Sequence, residues 1–189
     1  MGGMDFNYEA DVPSSMFLIF TYGTLKRGFS NHTLMQDLMK NGDAIFIGSH
    51  ITEEAYPLVC GPFRVPFLLN LPGEEGAKRV VGELYAVTGR GLARLDDLEG
   101  TSRGHYERLP IKVVPSAVTG VCGKTVVAEA YFGHRSFTAE MWIKCKKRGY
   151  KSYGQMEAFG YVKRNDRPQE KTFLDHIQAF VSSSPIASI

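Results

Sequence analysis

No stretch of this 189-residue chain comes near the run of about 18 apolar residues that a membrane-spanning helix needs. Cysteine is scarce. Cys60, Cys122 and Cys145 lie far apart, with no short Cys–Cys interval, which argues against a structural zinc site or a disulfide framework. So sparse a set fits a reducing compartment. Charge of one sign is not in excess either: 22 basic against 20 acidic residues leave +2, too little for an electrostatically driven nucleic-acid binder. The local run Lys144, Lys146, Lys147, Arg148 and Lys151 reads as a solvated face. His32, His50, His105, His134 and His176 have no metal-ligand spacing, and no Gly-x-Ser-x-Gly elbow is present. Residues 1–15 carry Asp5, Glu9 and Asp11 and no apolar core, unlike a signal peptide. Phe6 stands where a myristoylation pattern wants Ser or Thr. Ile186-Ala187-Ser188-Ile189 matches no lipidation or peroxisomal signal. A cytoplasmic protein with no membrane or nucleic-acid partner is the expectation.

What is present is ordinary for a globular protein: 43% hydrophobic and 22% charged residues, enough for one domain. Met16–Phe20 is a short apolar run, the pattern of a buried strand. Leu34, Met35, Leu38 and Met39 follow at helical spacing after Ser30-Asn31, and Gly42 closes that helix. Ala44–Ile51, Val80–Val87, Tyr106–Val114 and Val126–Phe132 read as strands, with Pro115–Lys124 as a long hairpin loop. Gly82 inside one of them marks a bulge or the close approach of another backbone. Tyr56–Pro62 and Pro66–Gly73 are apolar segments that their prolines confine to edges or loops. Leu92, Leu95 and Leu98 recur every third residue in a helix of two to three turns. Residues 136–168 lack periodicity and are expected to be irregular. Phe173, Leu174, Ile177 and Phe180 return to helical spacing, ended by Ser182-Ser183-Ser184-Pro185. Strands without regular strand–helix alternation indicate an α+β fold built on a small curled sheet or barrel. The expected organisation is a leader at 1–14, a domain at 15–168, and a C-terminal helix and tail at 169–189.

Three groups could carry chemistry. In Tyr22-Gly23-Thr24-Leu25-Lys26-Arg27-Gly28, a glycine at 23 with positive φ would turn the chain sharply and expose successive N–H groups as an anion site. An ordinary turn fits the same residues. In Leu95-Asp96-Asp97-Leu98-Glu99-Gly100, Glu99 shares the inward face of Leu95, whereas Asp96 and Asp97 tend outward. An inward carboxyl would have a raised pKa; a capped helix end, or pairing with Arg94 or Arg103, is the alternative. Tyr106, Tyr153, Tyr161, Arg164 and Arg167 offer aromatic walls and charge, or ordinary half-buried and surface positions.

Taken in order, Tyr22–Gly28 with Asn31-His32, Tyr56-Pro57-Leu58-Val59, Pro66–Gly73, Val81–Val87 and Leu95–Glu99 resemble the γ-glutamylcyclotransferase-like family. Within it the chain is most similar to the γ-glutamylamine cyclotransferases and their plant avirulence-induced relatives. The five blocks span residues 16–115; Tyr153 and Tyr161…Arg167 match the C-terminal portion more loosely. The resemblance implies a small mixed β-barrel flanked by short helices. It implies a monomeric enzyme without metal or cofactor that releases 5-oxoproline from a small γ-glutamyl substrate. Tyr22, Gly23, Thr24 and Leu25 would bind the glutamyl unit, with Tyr106 and Tyr153 as further substrate-binding residues and Glu99 as acid/base. Phe67, Leu68 or Leu98 would supply the apolar wall that a usable glutamate base needs. Substrates could be γ-glutamyl amines or γ-glutamyl amino acids and peptides. A non-catalytic domain binding a γ-glutamyl metabolite, and an interaction module using the basic run, are the rival readings.

Overall fold

The computed structural model describes Pro13 and residues 15–116 and 123–183. The expected leader, the tip of the 115–124 loop and the end of the tail fall largely outside these residues. Among the described residues seven strands form one sheet: β1 (Phe17–Thr21), β2 (Ala44–Thr52), β3 (Leu58–Cys60), β4 (Pro66–Leu68), β5 (Val81–Val87), β6 (Tyr106–Pro115) and β7 (Val126–Gly133). Their order is β1-β5-β2-β6-β7-β4-β3, and a further pairing of β1 with β7 closes the first five into a barrel. The closing pair is parallel, with Ile19 opposite Glu129, while β1–β5, β5–β2, β2–β6 and β6–β7 are antiparallel. The barrel is therefore mixed, as expected. The proline-flanked β3–β4 hairpin hangs from β7 at the sheet's end, where the missing proline N–H costs no central ladder bond.

Strand alternation separates two cores. Phe20, Leu84, Ile111, Val113, Ala128, Ala130 and Phe132 pack together on one side of the barrel wall. Ile19, Tyr85, Val87 and Tyr131, one residue out of phase, face the helices. Helix α1 (His32–Lys40) buries Met35 and Leu38 there, and α2 (Gly89–Glu99) buries Leu92 and Leu95. A Cβ on Gly82 would lie 2.3 Å from the Thr21 carbonyl oxygen, so the glycine lets β1 and β5 meet. The sheet's bulge lies elsewhere, in β2 between Phe46 and Gly48, opposite Tyr85 and Leu84; Gly82 itself pairs with His50.

Residues 136–168 are less irregular than expected. Helix α3 (Thr138–Lys144) buries Thr138, Met141 and Trp142, an i, i+3, i+4 face too short to stand out beside the lysine run. A single turn, α4 (Gln155–Ala158), follows. The helix expected after residue 169 is α5 (Phe173–Ser182), opened by reciprocal hydrogen bonds between Thr172 and Asp175. It packs its Ile177 into the same outer core as α1 and α2.

Candidate active site

Helix α2 ends where its carboxylate is needed. Thr88 caps its N-terminus by accepting from the Gly91 N–H, and Gly100 stops it in the left-handed conformation, φ 65°. A Cβ at Gly100 would lie 2.3 Å from His105 Nδ1, so only glycine lets the next turn fold back here. The Leu95 side places Glu99, the last helical residue, on the wall of a cavity of about 110 Å³. Burial raises the Glu99 carboxyl from 4.5 to about 7, against the opposing pull of Arg164. Among the described residues the carboxyl has no hydrogen-bond partner.

The same cavity is lined by Tyr22, Gly23, Thr24 and Leu25, so the two halves of the expected site meet. The loop is braced from outside. Asn31 donates to Thr24 Oγ1 at 2.8 Å, its backbone N–H donates to the Thr24 carbonyl at 3.0 Å, and the His32 ring bonds the Leu25 carbonyl at 2.8 Å. The N–H groups of Gly23, Thr24 and Leu25 find no acceptor among the described residues. Three free donors on one cavity wall can hold a carboxylate or a developing oxyanion. The positive φ expected at Gly23 is not observed. Its lack of a side chain serves close packing instead: a Cβ would lie 2.6 Å from Pro66 Cγ.

Tyr106 also lines the cavity, its hydroxyl donating to the Pro66 carbonyl at 2.8 Å. Burial, reinforced by Tyr22 and Glu99, pushes its pKa well up, so it remains a neutral wall. Tyr153 does not line the cavity. Almost fully buried, it donates to the Arg64 carbonyl at 2.9 Å, and its own carbonyl accepts Lys26 Nζ at 2.8 Å. It therefore supports the loop from behind. Of the proposed apolar walls, Leu98 is present; Phe67 stacks against Tyr106 at 5.0 Å, and Leu68 lies in the inner core.

Asp96 does not serve solvent. It accepts from Arg108 at 3.0 Å and from the Tyr131 hydroxyl at 2.7 Å, pinning α2 to β6 and β7. The exposed Asp97 pairs with Arg103 at 3.3 Å. His105, Tyr131, Asn31 and Phe173 also line the cavity, and their sequence context pointed to no role in the site or only a loose one. Burial, then the charges of Arg103, Arg164 and Arg167, lower His105 to about 4, so it is neutral near pH 7. Its position just after the helix stop was the one local signal available for it.

The family model described as gamma-glutamyl cyclotransferase, AIG2-like, matches residues 19–155. An Arabidopsis thaliana protein named "Putative gamma-glutamylcyclotransferase" is 53% identical over 184 residues, covering 93% of this chain and 97% of that one. Gamma-glutamylaminecyclotransferase B of Danio rerio is 34% identical over 170 residues, 89% of this chain and 84% of the relative. The crystal structure of an AIG2-like protein from Mus musculus superposes with a TM-score of 0.66 at 34% identity, covering 80% of this chain and 99% of the mouse chain.

Proposed function

The chain belongs to the gamma-glutamyl cyclotransferase, AIG2-like family, and from that membership and its site we propose a cyclotransferase that releases 5-oxoproline with Glu99 as its proton carrier. The supporting observation is the pairing of a desolvated carboxyl at about 7 with three unfilled loop N–H groups in one cavity. The substrate's α-amino group, as free amine, attacks its own γ-carbonyl carbon. A C–N bond closes the five-membered ring, and the original amide C–N bond breaks. Glu99 takes a proton from the attacking nitrogen and delivers it to the departing one, and the released amine takes its last proton from solvent. The reaction is intramolecular, so holding the chain folded on itself removes much of the entropic barrier.

A glutamate near its ordinary value of about 4.3 would be a weak base toward an ammonium of about 8. At about 7, Glu99 can both accept and return a proton near neutral pH. The Gly23–Leu25 N–H groups take the glutamyl carboxylate or the oxyanion, and Tyr22 and Tyr106 wall the site. We place the enzyme in the cytoplasm, acting as a monomer; the free thiols of Cys60 and Cys145 fit a reducing compartment. Among the described residues no helix is long and apolar enough to cross a membrane. In Glu99→Gln, 5-oxoproline release should fall by on the order of 10² to 10⁴. Release at the wild-type rate would remove Glu99 from the mechanism.

A further inference from the structure

Nothing among the described residues hydrogen-bonds the Glu99 carboxyl, so its place in the cavity is inherited from the backbone at the end of α2. The buried Leu92 and Leu95 hold that helix against the sheet. Apolar contact is non-directional, however, and does not by itself fix where a helix stops sliding or turning. Arg103 and Arg164 bond carbonyls of the last turn, both from exposed positions. Asp96 ties it to the barrel wall itself, three residues before Glu99 and about 4.5 Å away along the axis.

The sheet presents a matched receptor for Asp96. Arg108 of β6 pairs directly with Tyr131 of β7, so their side chains leave the sheet on one face, and Glu129, two residues before Tyr131, shares that face. Arg108 Nε and the Tyr131 hydroxyl both donate to Asp96 Oδ1, at 3.0 and 2.7 Å, and Arg108 Nη1 is steadied by Glu129 at 2.5 Å. The same Tyr131 also holds the other half of the site: its carbonyl accepts the Tyr22 hydroxyl at 2.5 Å. One residue of β7 thus bonds the anion loop through its backbone and the glutamate helix through its side chain. It does so at the seam where β1 closes on β7 through Ile19 and Glu129. Asp96 does not line the cavity, so its influence on the reaction must pass through another group.

We propose that Asp96 is the positioning residue for Glu99, locking the end of α2 onto Arg108 and Tyr131 so that the carboxyl meets the Tyr22–Leu25 loop across the cavity. The kinetic part of the test rests on the cyclotransferase reading above. Tyr22, Tyr106, Tyr131, His105 and Arg164 face Glu99 from the loop, the sheet and the later chain, and none of them changes when Asp96 does.

The test measures 5-oxoproline release from a γ-glutamyl amine and a γ-glutamyl amino acid. Asp96→Ala should lower kcat by about tenfold to a hundredfold, the cost of a misplacement of roughly 1 Å, with KM within about threefold. Asp96→Asn removes the same charge but keeps an acceptor oxygen, and should recover most of the loss. In a Glu99→Gln background Asp96→Ala should cost less than about twofold, because the group it positions is gone. Tyr131→Phe, the milder variant should Asp96→Ala not fold, should lose a few-fold in kcat and nothing further in the Glu99→Gln background. An unchanged kcat, an equal loss in the Glu99→Gln background, or Asn as harmful as Ala would overturn the proposal and leave the cyclotransferase reading standing. If neither compound yields 5-oxoproline, that reading falls, and urea unfolding between pH 5 and pH 8 decides the positioning. The pH-dependent stability gain from Glu99→Gln should then shrink by about half or more in Asp96→Ala, as Glu99 leaves its buried place, and persist in Asp96→Asn. A gain of equal size in both backgrounds would overturn it.

Discussion

Glu99→Gln should make the protein more stable as well as less active, and the gain should depend on pH. The folded carboxyl titrates at about 7 against an ordinary 4.5, because burial disfavours its charge. A group whose folded pKa is raised contributes its stability fully below the unfolded value and loses it as pH rises through the folded one. Wild-type protein therefore loses ground between pH 4.5 and pH 8, where the unfolded chain ionises Glu99 and the folded chain resists. At about 1.36 kcal/mol per tenfold change in the protonation equilibrium, the loss approaches about 3 kcal/mol. Gln has the same shape and no charge, and among the described residues the carboxyl has no hydrogen bond to forfeit. The variant minus wild-type difference should be near its minimum below pH 5, grow through pH 6 and 7, and level off near pH 8. Urea unfolding at those four pH values measures it. At the plateau the melting temperature should rise by roughly 6 to 12 °C for a domain of this size. A difference constant within about 0.5 kcal/mol from pH 5 to pH 8, or a variant that loses stability as pH rises, would show that burial does not hold the Glu99 pKa up.

Gly23→Ala forces a Cβ to within 2.6 Å of Pro66 Cγ. Steady-state kinetics should show kcat/KM down by at least tenfold as the loop shifts, with unfolding free energy changed by less than about 1 kcal/mol. Gly100→Ala combines φ 65° with a Cβ 2.3 Å from His105 Nδ1; it should cost about 1 to 3 kcal/mol in urea unfolding and also lower kcat by moving Glu99. Tyr131→Phe removes the 2.7 Å bond to Asp96 and should destabilise by roughly 1 to 2 kcal/mol, with Arg108 still holding the carboxylate.

Features set by local spacing were legible in the sequence. Gly82 pointed to a bulge or a close backbone approach, of which the second is present, and the four-residue step from Leu95 turned Glu99 towards the core, because helix and strand periods act over a few residues. Features set by distant contacts were not. Gly23 looked like a turn glycine, but what it avoids is Pro66, brought alongside by the β3–β4 hairpin. Asp96 looked solvated until β6 and β7 brought Arg108 and Tyr131 against it. Tyr153 had the right residue type for a binding wall, yet its hydroxyl was claimed by the Arg64 carbonyl. Helix α3 showed only three buried positions, below what periodicity can reveal. Arg164 and Arg167 were visible as residues, but nothing local says that residues 161–173 return to the cavity of a glutamate more than sixty positions earlier.

The proposed mechanism requires Glu99 to titrate near neutrality while it moves the proton. The deciding measurement is kcat/KM for 5-oxoproline release from pH 5 to pH 9, in wild type and Glu99→Gln. Wild type should show an acid limb with an apparent pKa of about 7, superimposed on the substrate's own ammonium. The Gln variant should keep only the substrate's limb, at a rate lower by on the order of 10² to 10⁴. A wild-type limb near 4.5, or one that survives unchanged in Glu99→Gln, would show that Glu99 is not the proton carrier.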